Sequence, residues 1–104
     1  MNSVIHSRSL TGPAQGIVRS LRRFAQIERI YLFGSRARGD ALPRSDIDLA
    51  IACPEADAHV WADIYETVDS ADTLLKIDVI RLEEAAPELT ARITAEGQLL
   101  YERR

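Results

Sequence analysis

Three short segments rich in apolar and β-branched residues predict β-strands, at about 28–33, 46–52 and 76–81. The middle segment alternates between polar and apolar residues. Because side chains on a strand alternate between its two faces, Asp46 and Asp48 would share one face, with the apolar residues on the other. The pattern therefore predicts a half-buried strand with two neighbouring carboxylates on its polar side.

Helical periodicity marks three further segments. The first follows Pro13, the second covers 58–68, and the third begins at Pro87 and ends at Gly97. The apolar positions that would face the core are Ile17, Leu21 and Phe24, then Ala58, Trp61, Ala62, Tyr65 and Val68, and finally Leu89 and Ile93.

The order of these elements, α-β-β-α-β-α, predicts an α/β domain of the α+β type, with helices packed on a small mixed sheet. Residues 1–10 are polar and aperiodic, which predicts a flexible terminus, and 98–101 would form a short extended tail. No linker or repeat interrupts the pattern, so we expect 1–104 to form one domain.

Composition narrows the function classes. Thirteen basic and sixteen acidic residues give a net charge of −3, which argues against broad nucleic-acid binding, although a nucleotide needs only a local phosphate site. The one cysteine, Cys53, cannot form an internal disulfide. No apolar run is long enough for a membrane span or a secretory signal, so we expect no membrane association and a cytoplasmic location.

Asp46 and Asp48 would repel each other unless a cation lies between them, and a hard divalent cation such as Mg²⁺ prefers oxygen ligands. Asp78 is a third candidate because it stands between Ile77 and Val79, where a charged residue is unexpected in a strand. A charge that simply faces water on an edge strand would also explain Asp78. His6, His59 and Cys53 lack metal-ligand spacing.

A glycine and a serine follow the first predicted strand. Gly34 would let the backbone approach a phosphate closely, and the Ser35 hydroxyl could donate to it. Either Arg36 or Arg38, rather than Arg44, would reach a triphosphate. A plain glycine-flanked connection would explain Gly34 but not the serine or the arginines.

The spacing Gly34-Ser35, ten residues, Asp46-Ile47-Asp48 resembles the active-site pattern of the DNA polymerase β-like nucleotidyltransferases. The longer strings 34–39 and 45–49 are similar to the minimal nucleotidyltransferase (MNT) domains of that superfamily, and the resemblance extends from about 30 to 101. It implies a polymerase β-like palm, ATP as substrate and two Mg²⁺ ions. It also implies that the catalytic and metal-binding residues are Asp46, Asp48 and Asp78. The nucleotide-binding residues that it implies are Gly34, Ser35, Arg36 and Arg38.

The MNT resemblance also implies a partner. MNT proteins of this kind are antitoxins in HEPN/MNT toxin–antitoxin systems and add AMP to a tyrosine of the HEPN ribonuclease toxin. We therefore expect a protein adenylyltransferase that forms a hetero-oligomer with a HEPN-domain toxin. Two alternatives stay open at this point: a non-catalytic antitoxin that neutralises its partner by binding, and an enzyme acting on a small molecule.

Overall fold

A mixed five-stranded sheet forms the centre of the computed structural model, which describes residues 3–4, 13–39, 41–42 and 45–103. The strands are β1 (Ser3–Val4), β2 (Arg29–Phe33), β3 (Ile47–Ala52), β4 (Ile77–Arg81) and β5 (Gln98–Arg103). The helices are α1 (Pro13–Leu21), α2 (Ser35–Arg38), α3 (Ala58–Asp69) and α4 (Pro87–Glu96), with a 3₁₀ turn at Leu82–Glu84.

The strand order in the sheet is β1-β5-β2-β3-β4. β3 and β4 are parallel, and the other neighbouring strands are antiparallel. The predicted mixed sheet and α+β class are therefore confirmed. The segment 98–101, predicted as an extended tail, belongs to β5, an inner strand between β1 and β2. Within the predicted flexible terminus, Ser3–Val4 pairs with β5, and 1–2 and 5–10 lie outside the described residues.

Helices cover both faces of the sheet. α1 and α3 pack on one face, where Ile17, Leu21 and Ile64 join the main core with β2 and β3 residues. α4 packs on the other face, where Ile93 meets Tyr31 in a second cluster. By strand alternation, Asp48 lies on the face that α4 covers. Within the described residues, no helix has the length and apolar character needed to cross a bilayer.

The buried stripe of α3 differs from the predicted one. Ile64, which the predicted stripe omitted, is fully buried together with Val68, whereas the side chain of Tyr65 is exposed. Trp61 is only partly buried, and Ala58 and Ala62 are exposed. The prediction was wrong here because it assigned small and aromatic residues of α3 to the core. The side of the helix that is actually buried carries the β-branched residues Ile64 and Val68.

The two ends of α4 agree with the prediction. Pro87 begins the helix and Gly97 follows its last residue. A Cβ at Gly97 would lie 2.6 Å from Ile93 O and 3.0 Å from Leu32 O. Glycine therefore allows the C-terminal end of α4 to lie against the end of β2, next to Gly34.

Candidate active site

The sheet brings the predicted carboxylates together at one end of β3. In the parallel β3–β4 pair, Asp48 is in register with Asp78. On the other side of β3, Asp48 is paired with Phe33, the last residue of β2. Asp46 stands just before β3 begins. Thus the two strand carboxylates share a register position, and the end of β2 lies beside them.

Asp48 is the most perturbed carboxyl group of this site. Its pKa is raised above the ordinary value of 3.8, first because burial removes solvent, and then because the charges of Asp78 and Asp46 are near. A hydrogen bond with the Asp78 side chain raises it further, and Lys76 opposes the shift. Lys76 Nζ lies 3.7 Å from Asp78 Oδ1 on the surface. The site therefore has a local excess of negative charge that one exposed lysine only partly offsets.

This donor set suits a hard divalent cation in its chemistry. Carboxylate oxygens are the ligands that Mg²⁺ prefers, and a cation would relieve the repulsion that raises the Asp48 pKa. In the part of the chain that the structure describes, no three acidic, histidine or cysteine side chains form a closed ligand cluster. Asp48 and Asp78 therefore suit a cation by residue type and strand register, while the three carboxylates are not gathered around one point.

Gly34 is the residue that lets the end of β2 lie against Asp48. Its φ of 76° and ψ of −155° belong to a region that is essentially restricted to glycine. A Cβ at this position would overlap Asp48 Oδ2. Ser35 then begins α2, and the backbone N–H groups of Ala37 and Arg38 donate to Gly34 O. Ser35 therefore directly follows the residue that lies against Asp48.

Arg36 connects α2 to the loop that carries Asp46. Its guanidinium donates from Nη2 to Ser45 O at 2.8 Å and from Nε to Ser45 O and Asp46 O at 3.2 and 3.3 Å. Arg36 therefore holds the backbone just before β3 in place. Sequence reasoning missed this bond because a nine-residue separation gives no local signal.

The other residues considered for the site lie on or after α2 and on α3. Arg38 is exposed on α2, and Gly39 ends that helix with a φ of 84°. Arg44 lies outside the described residues. His59 is exposed on α3 beside Asp63.

Cys53 lies at the far end of β3 and takes no part in the carboxylate site. It is fully buried, and burial raises the pKa of its thiol to about 11.

The residues that sequence reasoning missed in the site are Phe33 and Lys76. Lys76 stands two positions before Asp78, so the two-residue period of a strand could have indicated that pairing.

A fold of this class, with carboxylates at the end of two parallel strands and a glycine-serine turn beside them, is that of a nucleotidyltransferase. The family model for "Polymerase beta, Nucleotidyltransferase" matches residues 15–104. The chain belongs to this family. No curated protein matches the sequence significantly.

Solved structures of toxin–antitoxin complexes are similar to this chain. One, a toxin–antitoxin with AMP-PNP, is 25% identical, with a TM-score of 0.69 over 86% of this chain and 73% of that one. The MntA-HepT toxin–antitoxin shares the fold at 21% identity, with a TM-score of 0.60 over 90% and 70% of the two chains. A Shewanella oneidensis complex of a tri-AMPylated HEPN toxin with its MNT antitoxin also shares the fold, at 21% identity, a TM-score of 0.61 and 89% and 69% coverage.

Proposed function

We propose that this protein is a metal-dependent nucleotidyltransferase, an antitoxin that transfers AMP from ATP to a tyrosine of a HEPN-type ribonuclease toxin. The observation that carries the proposal is the juxtaposition of Asp48, Asp78 and Gly34 at one end of the sheet. The family membership and the similarity to a toxin–antitoxin that was solved with AMP-PNP support it.

Each residue of the site has a part in this reaction. Asp46, Asp48 and Asp78 would hold Mg²⁺, which when bound supplies charge neutralisation at the phosphates and activation of the acceptor hydroxyl. Asp78 orients the acceptor phenol and takes up its proton as the oxygen attacks the α-phosphate of ATP. The bond between the α-phosphate and the bridging oxygen then breaks, and pyrophosphate leaves.

The phosphates would lie at the glycine-serine turn. Ser35 donates its hydroxyl proton to a phosphate oxygen there, and Gly34 keeps the backbone close enough for the contact. Arg38 is exposed on α2 and would bind the phosphates as an arginine of the same short helix as Ser35. Arg36 donates to Ser45 O and Asp46 O. Arg36 acts by positioning the loop that carries Asp46.

Two exposed leucines favour a protein as the acceptor. Leu42 and Leu74 are 73% and 104% exposed. Leu42 precedes β3 and Leu74 precedes β4, so both stand at the carboxylate end of these parallel strands. A contiguous apolar surface is typical of protein-binding sites, and these two leucines would contribute to one at this end of the sheet. The same leucines would also serve the second candidate function, an antitoxin that neutralises the toxin by binding alone.

Intact mass spectrometry of a HEPN partner incubated with ATP, Mg²⁺ and this protein separates the two functions. We expect the partner to gain one or more AMP units with the wild-type chain and with the exposed variant Asp63→Asn, and none with Asp48→Asn. An unmodified partner that still binds tightly would support the binding function instead.

The mass of this chain is measured in the same experiment. Tyr31 and Tyr101 are buried, but Tyr65 is exposed on α3. A gain of AMP on this chain rather than on the partner would contradict transfer in trans.

A further inference from the structure

The outer edge of β4 is open to a further strand. β4 is the last strand of the sheet, and β3 is its one strand neighbour among the described residues. All five residues of β4 are partly exposed, whereas five of the six residues of β3 are buried. Proteins usually protect such an edge with a proline, a bulge or exposed charges. β4 has no proline, its register with β3 runs without a shift, and its cation Arg81 is mostly buried.

The pairing with β3 determines which backbone groups of β4 point outwards. Ile47 N donates to Lys76 O at 2.9 Å. In the parallel hydrogen-bond pattern every second residue of β4 then bonds to β3, and the N–H and C=O groups of Ile77, Val79 and Arg81 point away from it. The edge therefore offers the donors and acceptors of three residues to an added strand.

A groove of about 360 Å³ follows this edge towards the end of β4. Val79 packs against the main core on the α3 face of the sheet, Ile80 packs against the second cluster on the α4 face, and both line the groove. The groove is therefore accessible from both faces at the outer edge. Trp61 and Tyr65 of α3 line it on one face, and Leu89 of α4 lines it on the other. An added strand, whose side chains alternate between the faces, would meet apolar side chains on each.

The charges at the two ends of β4 identify a second copy of this chain as the occupant. Lys76 precedes β4 and Glu84 follows it, and their side chains are 70% and 68% exposed. In an antiparallel pair of β4 strands, the start of each strand lies beside the end of the other. Each Lys76 would then meet Glu84 of the other copy, whereas a parallel pair would bring like charges together.

Two-fold symmetry and the outward backbone groups together determine the register. Residues with outward groups must stand opposite each other for the hydrogen bonds to form. Val79 is the middle residue of β4, so it would lie on the two-fold axis opposite Val79 of the second copy. Lys76 then lies opposite Leu82, two positions from Glu84, which is within reach of long side chains.

We propose that the β4 edge joins two copies of this chain into a two-fold symmetric dimer with one continuous sheet. Asp78 would lie opposite Ile80 of the second copy, so the second copy covers the side of the carboxylates that an acceptor approaches in the proposed function. The dimer is therefore the form of the chain without a partner protein. Its existence does not depend on AMP transfer, because it rests on the edge, the groove and the charges.

Sedimentation equilibrium of the isolated chain tests the proposal through charge reversals. Lys76→Glu and Glu84→Lys each bring like charges together, and we expect each to weaken dimerisation by about tenfold, since the contact occurs twice. The double variant Lys76→Glu/Glu84→Lys restores opposite charges, and its dimerisation constant should lie within about threefold of wild type. Glu88→Lys is the matched control, because Glu88 is exposed on α4 outside the groove, and it should dimerise like the wild type.

Cysteine crosslinking tests the register. Val79→Cys places two thiols opposite each other on the axis, at a Cα separation of about 5.5 Å, which a disulfide can span. Cys53 is fully buried, so it gives little background. With a mild oxidant we expect a covalent dimer of Val79→Cys on a non-reducing gel, and a monomer for the exposed control Glu88→Cys.

A wild-type chain that stays monomeric at millimolar concentration would overturn the proposal, and a HEPN partner that binds such a chain at β4 would assign the edge to the partner instead. Dimerisation that is unchanged by both single reversals, or a folded Val79→Cys chain that does not crosslink, would place the interface elsewhere. If Val79→Cys does not fold, the charge-reversal series decides. Assemblies larger than a dimer would also contradict the proposal, because a two-fold pair uses each edge once.

Discussion

The two ends of the β3–β4 pair both carry charged side chains, but the charges are arranged in opposite ways. At one end, Asp48 and Asp78 lie side by side with Asp46 near, and the exposed Lys76 lies 3.7 Å from Asp78. At the other end, Arg81 lies within 3.5 Å of a Glu83 oxygen and 3.8 Å of a Glu84 oxygen.

The Arg81 end places a mostly buried cation between two carboxylates, although among the described residues Arg81 Nε has no hydrogen-bond partner of its own. Arg81 Nη2 also donates to Cys53 O and Ala56 O, at 2.8 and 2.7 Å, and Glu83 accepts from Cys53 N at 3.0 Å. The side chain of Arg81 is only 13% exposed. These bonds fix the loop between β3 and α3, so they stabilise the fold. The Asp48 end has like charges in a partly desolvated place, which is the arrangement typical of a functional site.

Removal of one carboxylate from the Asp48 end has the largest expected effect. We expect Asp48→Asn to reduce AMP transfer by about a thousandfold, or ~4 kcal/mol, because it removes a ligand to Mg²⁺. The same change should raise the melting temperature in chelator, since it relieves the repulsion from Asp78 and Asp46. Rates of transfer and calorimetric melting measure the two effects.

The exposed variant Asp63→Asn is the control for Asp48→Asn, since it makes the same chemical change away from the site. A variant Asp48→Asn that transfers AMP at a rate close to that of the wild type would show that Asp48 is not a metal ligand.

Removal of the cation from the Arg81 end should affect stability instead. Arg81→Met removes the cation from Glu83 and the donor from two backbone carbonyls, and we expect a loss of about 3 kcal/mol in the free energy of unfolding. Exposed Arg19→Met on α1 should stay within about 0.5 kcal/mol of wild type. Urea unfolding gives both values. A stable Arg81→Met protein would mean that this end of the sheet is held by packing alone.

The contrast between the two ends also explains how much could be predicted from the sequence. The spacing of Gly34, Asp46 and Asp48 is local, and it indicated the family and the end of the sheet. The strand period correctly separated Asp48 from Ile47 and Leu49, but the face of Asp48 is not a solvent face, since Ala50 and Ala52 on it are fully buried. Because these signals depend on residues that are close together in the sequence, they can be recognised without knowledge of the tertiary structure.

The contacts that the sequence did not predict join distant positions. Arg81 binds Cys53 O and Ala56 O, which are 28 and 25 positions away, and Gln98 binds Ala37 O across 61 positions. The position of β5 inside the sheet could not be predicted either, because no local sequence pattern determines the order of the strands. Periodicity also misplaced the buried stripe of α3, because the stripe depends on which residues of the sheet the helix contacts.

The two glycines that flank α2 allow a measurement of how closely the backbone at Gly34 lies against Asp48. Gly34 and Gly39 both have positive φ, but only Gly34 has a neighbour, Asp48, that a Cβ would overlap. We expect Gly34→Ala to cost about 2 kcal/mol more in stability than Gly39→Ala, from the backbone region and the overlap together. It should also weaken Mg²⁺-ATP binding, which Gly39→Ala should not. Equal costs would mean that Asp48 moves away freely.

The smallest expected effect is a dependence of stability on pH at the Asp48 end. The pKa of Asp48 is raised in the folded protein, so the folded state holds its proton at a pH where the unfolded state has lost it. The free energy of unfolding therefore falls as pH rises from the ordinary value of 3.8 through the raised pKa of Asp48. In chelator, this fall should be present in the wild type and absent in Asp48→Asn, so the difference between the two proteins isolates one group.

Magnesium should reverse that dependence, because a bound divalent cation favours the ionised carboxylate and stabilises only the folded state. The measurement is a series of urea unfolding curves from pH 4 upwards, with chelator and with Mg²⁺, on both proteins. A pH dependence that is the same with and without Mg²⁺ would show that the Asp48 end does not hold the ion. The negative charge at this end would then be a feature of the fold, like the charges around Arg81.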